Sequence, residues 1–177
     1  KKGIEVVLMH ERIDEWLMSH MQEFDGKKFQ DVSRGELYLV KLEDEEDKKL
    51  QVKNEKELEG LVKRMQECLS EKVKEVRVTH RLTDSPACLA VDEHEMGSEM
   101  RKIMEASGQT VHETKPIFEI NPDHPLVVKL DTESDEDRFS DLVTILFGQA
   151  SIADNGQLDD PGDFSARLNK LLLELSN

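Results

Sequence analysis

Apolar residues recur along this chain with two periods, and their alternation predicts a fold of mixed helices and strands. Residues 4–9, Ile-Glu-Val-Val-Leu-Met, are an apolar run of the kind a short buried strand carries. Ile13, Trp16, Leu17, Met21 and Phe24 then fall on one face of a helix over 11–24. Asp25-Gly26 ends that helix, and residues 28–32 offer a returning strand. An αβ unit of this size is too small to hold its own core.

Leu37 to Leu42 again has strand character, and the charge run Glu43-Asp44-Glu45-Glu46-Asp47 reads as a solvated connection. Asn54 with Glu57 three residues on has capping-box spacing, and Leu58, Leu61, Val62, Met65 and Leu69 form the stripe of the helix that follows. Residues 73–79 alternate apolar and polar as a half-buried strand does; Ser85-Pro86 turns the chain, and 87–91 is a second strand. A helix over 93–106 is capped by Asp92 and closed by Gly108. Residues 117–120 make a third strand, and Asn121-Pro122-Asp123 starts a short helical stretch through Leu126, Val127, Val128 and Leu130, with Asn or Asp as its cap.

The last two helices carry the clearest pattern. Over 135–153, Phe139, Leu142, Val143, Leu146 and Ala150 mark one face, which Ile145 widens, and Asn155-Gly156 stops the helix. Asp160 caps the second, with Pro161 at its first position; Phe164, Leu168, Leu171, Leu172 and Leu175 follow along one stripe over 161–175. The short connection makes the pair an antiparallel hairpin. Such a hairpin buries its stripes either on its own domain or on a second copy as a four-helix bundle, and the pattern alone does not separate the two.

The fold class is therefore α+β: a small mixed three-stranded sheet with packed helices and a C-terminal helical hairpin, preceded by a small αβ piece. The domain reading is 1–35 for the αβ unit, 36–54 for the acidic connection and 55–177 for the main domain.

Charge narrows the partners. The 177 residues hold 39 acidic and 24 basic side chains, for a net charge of -15. That field repels phosphate backbones, so nucleic acid is not an expected partner. No apolar run is long enough to span a membrane and no signal peptide is visible, which points to the cytoplasm. The start at Lys1, directly before a strand pattern, reads as a piece of a longer protein.

Chemistry is sparse. His94-Glu95 lacks the second His of a zinc-protease helix, no phosphate-binding Gly-rich loop occurs, and Cys68 and Cys88 read as packing residues. Asp123 and His124 lack an accompanying nucleophile or metal pattern, so a hydrolase built on them is a remote alternative. No catalytic and no metal-binding residue is expected. Met96, Met100, Ile103 and Met104 are more telling, since they line one face of the 93–106 helix. A Met-rich stripe suits a surface that accepts varied partners, while an ordinary core face remains the other reading.

Two long runs are specific: Val76-Arg77-Val78-Thr79-His80-Arg81-Leu82-Thr83-Asp84-Ser85-Pro86-Ala87, and Ile117-Phe118-Glu119-Ile120-Asn121-Pro122-Asp123-His124-Pro125. With Asp160-Pro161 opening the last helix, they resemble the C-terminal domain of the ninety-kilodalton heat-shock chaperones. Arg12-Ile13-Asp14-Glu15-Trp16 and Glu23-Phe24-Asp25-Gly26-Lys27 resemble the end of that family's middle domain. The chain ends Leu-Glu-Leu-Ser-Asn, without the Met-Glu-Glu-Val-Asp tail of cytosolic eukaryotic members, and so resembles the bacterial form.

The resemblance implies a region of an ATP-driven chaperone whose ATP and magnesium bind in an N-terminal domain outside this sequence; this region would have no cofactor and no ATPase activity of its own. It implies a homodimer through the last two helices, with an interface on Leu142, Ile145, Leu146, Gln149, Phe164, Leu168, Leu171, Leu172 and Leu175. It implies binding of non-native client proteins through Glu15, Trp16 and Ser19, then Met96, Met100, Ile103 and Met104, where Met104 stands in place of a larger aromatic. Cochaperones are a further partner class. The alternative is a purely structural dimerisation module whose Met stripe is core.

Overall fold

A computed structural model describes residues 5–9, 11, 13–32, 53–92, 95, 101, 103, 104, 106–108 and 114–176. The chain divides into two units: Lys1–Glu43 with Val91–Thr114, and Asp44–Ala90 with Lys115–Asn177. The expected strand over 37–42 and the acidic run 43–47 lie outside the described residues.

In the first unit, helix α1 spans Asp14–His20 and is followed by strands β1 (Glu23–Phe24) and β2 (Lys27–Lys28). Two expectations change here. The helix stops well before residue 24, because Asp25 and Gly26 both take positive φ, 50° and 71°, and close a tight hairpin that pairs Phe24 with Lys27. A two-residue Asp-Gly turn of that hand matches the twist of antiparallel strands, so it draws Glu23 and Phe24 out of the helical pattern. Residues 5–9 carry no strand, and Val6, Val7 and Leu8 are exposed. An apolar run becomes a strand only beside a neighbour that takes its backbone hydrogen bonds, and none of the described strands pairs with it. Further on, Arg101, Ile103, Met104 and Ala106 are helical, and Gly108 follows at φ 80°, the left-handed stop expected there.

The second unit is built on helix α2 (Glu59–Cys68), strands β3 (Glu75–Val78), β4 (Ala87–Ala90) and β5 (Ile117–Ile120), and helices α3 (Pro125–Asp131), α4 (Glu136–Asn155) and α5 (Pro161–Leu175). The strand order is β3-β5-β4, with β5 parallel to β3 and antiparallel to β4. The fold is α+β, with the mixed three-stranded sheet that the sequence predicts. β5 is the central strand, and all four of its residues are buried.

One core unites these elements. Leu61, Met65 and Leu69 of the predicted α2 stripe are buried against Val76, Phe118 and Ile120 of the sheet, Val127 and Leu130 of α3, and Phe139, Val143, Leu146 and Phe147 of α4. The rings of Phe118 and Phe147 meet edge to face at 5.7 Å, and the Arg64 guanidinium lies 3.8 Å over Phe139. Each large apolar side chain so buried contributes about 1.5–3 kcal/mol.

Two caps differ from expectation. Residues 53–57 are already helical, so Asn54 sits inside that turn, and Leu58 (φ -97°, ψ 7°) breaks the helix before α2 proper. The cap of α3 is His124, whose Nδ1 accepts from the Leu126 N–H, rather than Asn121 or Asp123. Pro125 holds His124 extended, which is cap geometry. Asn121 is meanwhile buried, its amide donating to the carbonyls of Leu82, Thr83 and Ser85 while its Oδ1 accepts from the Asp123 N–H.

Candidate interaction surfaces

The first surface belongs to the first unit. Trp16 is half-exposed, at 50%, on α1. Its ring lies 4.6 Å from that of His20, one turn on, and His20 Nδ1 donates to the Trp16 carbonyl oxygen at 2.9 Å. The half-exposed indole thus has the His20 ring as a neighbour on the same helix. Glu15 and Ser19 are positions of the same helix. Of the methionine stripe, Ile103 is 41% exposed and Met104 half-buried, while Met96 and Met100 lie outside the described residues. Both α1 and residues 103–104 fall within the first unit.

The second surface is the α4–α5 hairpin. Asp135 caps α4 by accepting from the Arg138 N–H, and Gly156, left-handed at φ 73°, ends it. Asp160 caps α5 by accepting from the Asp163 N–H, with Pro161 in the first turn, as the sequence predicts. The two helices are fastened at three levels. Near the connection, the Phe164 ring lies against bare backbone: a Cβ on Gly148 would stand 2.6 Å from Phe164 Cδ2. At mid-length, Asp141 is only 6% exposed and accepts from Arg167 Nη1 and Lys170 Nζ, each at 2.6 Å. Arg167 also donates to Asp163 at 2.8 Å. At the far end, Arg138 Nε stands 3.8 Å from Glu174 and 3.5 Å from Glu133.

These contacts move the local acids and bases apart. The hydrogen bond from Arg167 holds the Asp163 carboxyl below the usual aspartate range. The bond to Asp141 raises Lys170, and the bond to Asp163 raises Arg167. Asp163, Arg167 and Lys170 are therefore all charged at neutral pH.

The sequence-derived interface residues separate by depth in a single copy. Ile145, Leu146 and Leu171 are buried, and Leu142, Phe164 and Leu168 are half-buried. Gln149, Leu172 and Leu175 are exposed, Leu172 at 51% and Leu175 at 72%, with Leu173 and Ile152 also open. The outer turn of α5 is thus an ordered helix that presents apolar side chains to solvent.

A third cluster sits at the sheet. Glu119 of β5 is 2% exposed; its Oε1 accepts from Arg77 Nη2 at 2.6 Å, and its Oε2 pairs with Arg81. Cys88 Sγ lies 3.7 Å from the same carboxylate. Burial pushes the Cys88 thiol up, against the lowering effect of Arg81, and burial raises Cys68 as well. A raised thiol is a poor nucleophile at neutral pH. Asp123 is exposed, and His124 Nδ1 is taken up in capping α3. Among the described residues no group of three His, Cys, Asp or Glu side chains is placed to hold a metal, and no helix is long and apolar enough to cross a membrane.

Sequence reading missed Asp141, Gly148 and Glu119. Each interrupts an apolar pattern, and that interruption is the signal. Asp141 falls among the inward residues of α4, and Arg167 and Lys170 put two cations three residues apart on α5. A family model described as Hsp90 protein matches residues 1–176, nearly the whole chain.

Proposed function

Because this chain belongs to the Hsp90 protein family, we propose that it pairs two chaperone protomers and offers non-native proteins a binding surface on each. Membership gives the chaperone-related role; the pairing and the client surface are the finer reading. The observation that carries it is the exposed apolar turn of α5, Leu172 to Leu175, on a helix whose other half is fixed to its own domain. Covering a leucine fully contributes about 1.5–3 kcal/mol, and a two-fold axis covers the same side chains on both copies at once. Client capture falls to Trp16 and to the Met96–Met104 stripe, and the exposure of Ile103 favours a surface over a buried core face.

In this reading the region is not an enzyme. ATP and magnesium act in a separate N-terminal domain of a longer parent chain, of bacterial type and cytoplasmic, and cochaperones are further partners.

Light scattering tests the pairing. The chain should run as a dimer, and Leu172→Asp should give monomers, because it places a charge in an apolar seam; a fully dimeric Leu172→Asp defeats the reading. Met100→Glu with Met104→Glu should weaken capture of a chemically unfolded protein while the circular dichroism spectrum holds. Unfolding of that double variant would instead make the stripe core.

A further inference from the structure

Along the α4–α5 seam, apolar and charged fastenings are unevenly placed. Phe164 packs on Gly148 close to the connection, and Leu171 is the buried residue of α5. Along the stretch of α5 that also holds the half-buried Leu168 and the buried Leu171, the charged fastenings are Asp141 to Arg167 and Lys170, then Arg138 near Glu174. Lys170 and Glu174 flank the open Leu172 and Leu173, and the open Leu175 follows directly. The direction in which Leu172 and Leu175 point is therefore set by these charges together with the packing of the half-buried Leu168 and the buried Leu171.

We propose that Asp141 is a positioning residue for pairing: by holding Arg167 and Lys170 together it fixes the angle of α5 on α4, and so the geometry of the leucine face that meets a second copy. This deepens the pairing reading and rests on it. Exposed ion pairs are worth little, but Asp141 is nearly buried and its two bonds are short and charge-assisted. Two cations on one carboxylate, three residues apart on a helix, resist rotation of that helix about its own axis as a single pair does not. Around the cluster lie the acids Asp163, Asp137 and Glu174, with Lys72 acting on Asp163 and Arg138 close to Glu174, and none of these acids supplies Arg167 or Lys170 with a second buried partner.

Two measurements test it. In the monomeric Leu172→Asp background, Asp141→Asn should speed amide exchange of residues 168–175 at least tenfold, while exchange at Phe118 and Phe139 in the core is unchanged. In the pairing-competent chain, Asp141→Asn should raise the dimer dissociation constant tenfold or more by sedimentation equilibrium, and Asp141→Glu should restore part of it. If Asp141→Asn fails to fold, Lys170→Gln replaces it, removing one half-exposed arm of the clamp. Unchanged exchange in α5 overturns the positioning role whatever the oligomeric state, and so does an unchanged dissociation constant in a dimeric chain. A wild-type chain monomeric at every concentration overturns the pairing reading itself, and the exchange result in α5 then stands apart from it.

Discussion

The ring of Phe164 occupies the space that a side chain on Gly148 would need, with Cδ2 and Cε2 at 2.6 and 2.8 Å from the position of a Cβ. The hairpin thus closes on a glycine inside a helix, where glycine ordinarily costs about 1 kcal/mol against alanine. Gly148→Ala should nonetheless destabilise. Forcing a ring out of a packed seam costs about 1–3 kcal/mol, which outweighs the propensity gain at all but the low end. The expected net loss is up to about 2 kcal/mol, seen as a lower thermal midpoint. In a Phe164→Ala background the same change should be neutral or stabilising, since the obstacle is gone. A loss of equal size in both backgrounds would show that the ring is not the cause.

Glu119 is a buried carboxylate between Arg77 and Arg81 at the centre of the sheet. Removing one partner of a buried pair leaves the others desolvated and unmatched, at a cost of about 3–5 kcal/mol. Glu119→Gln keeps the shape and loses the charge, so the penalty should approach that range, and urea denaturation should show a fall of several tenths of the total stability of an ordinary domain. Arg64→Ala, which removes a partly exposed ion pair with Glu136 along with the contact over Phe139, should cost less. The reverse order would mean that the sheet centre tolerates an orphaned arginine pair.

Much of this was legible in the sequence, for identifiable reasons. The α2 stripe, the three strands and the Asp160-Pro161 cap all depend on residues within one or two turns of each other, and those local rules held. What failed depended on distant partners. Residues 5–9 look like a strand but have no described neighbour to pair with, and Asn121 looks like a cap but is occupied by the 82–85 loop, some 36 or more positions away in the chain. Asp141 and Glu119 are acidic yet buried, which is possible because their cations come from α5 and from β3 and the segment after it. Periodicity reports which face is inward; it does not report a charge that another element neutralises there.

Thiol chemistry offers an independent check on the packing at β4. Cys68 is exposed, whereas Cys88 is half-buried beside Arg81 and Glu119. Both thiols are raised by burial, so both should react more slowly with iodoacetamide at neutral pH than a free cysteine does. Peptide mass spectrometry over time should find Cys68 labelled first. Equal rates would place Cys88 in a more open setting than the sheet gives it.

The charged seam of the hairpin also fixes a dependence on pH. Asp163 is held below its ordinary value by Arg167, so its contribution to stability is complete above the unfolded aspartate value and is lost as pH falls through the depressed one. Lys170 is raised by Asp141, so its contribution is complete below the unfolded lysine value and is lost as pH rises through the raised one. Between these limits, from about pH 5 to about pH 9 by the ordinary values of the two side chains, the hairpin's contribution should be flat. Thermal midpoints followed by circular dichroism should show that plateau with a fall on each side. Asp163→Asn should make the acid limb shallower and leave the alkaline limb alone, and Lys170→Gln should do the opposite. Because Asp163 and Lys170 lie at the surface, both effects should shrink in about 1 M salt, where screening acts within about 3 Å. An acid limb of unchanged slope in Asp163→Asn would mean that other carboxylates govern it and that the Arg167–Asp163 bond adds nothing measurable to the seam.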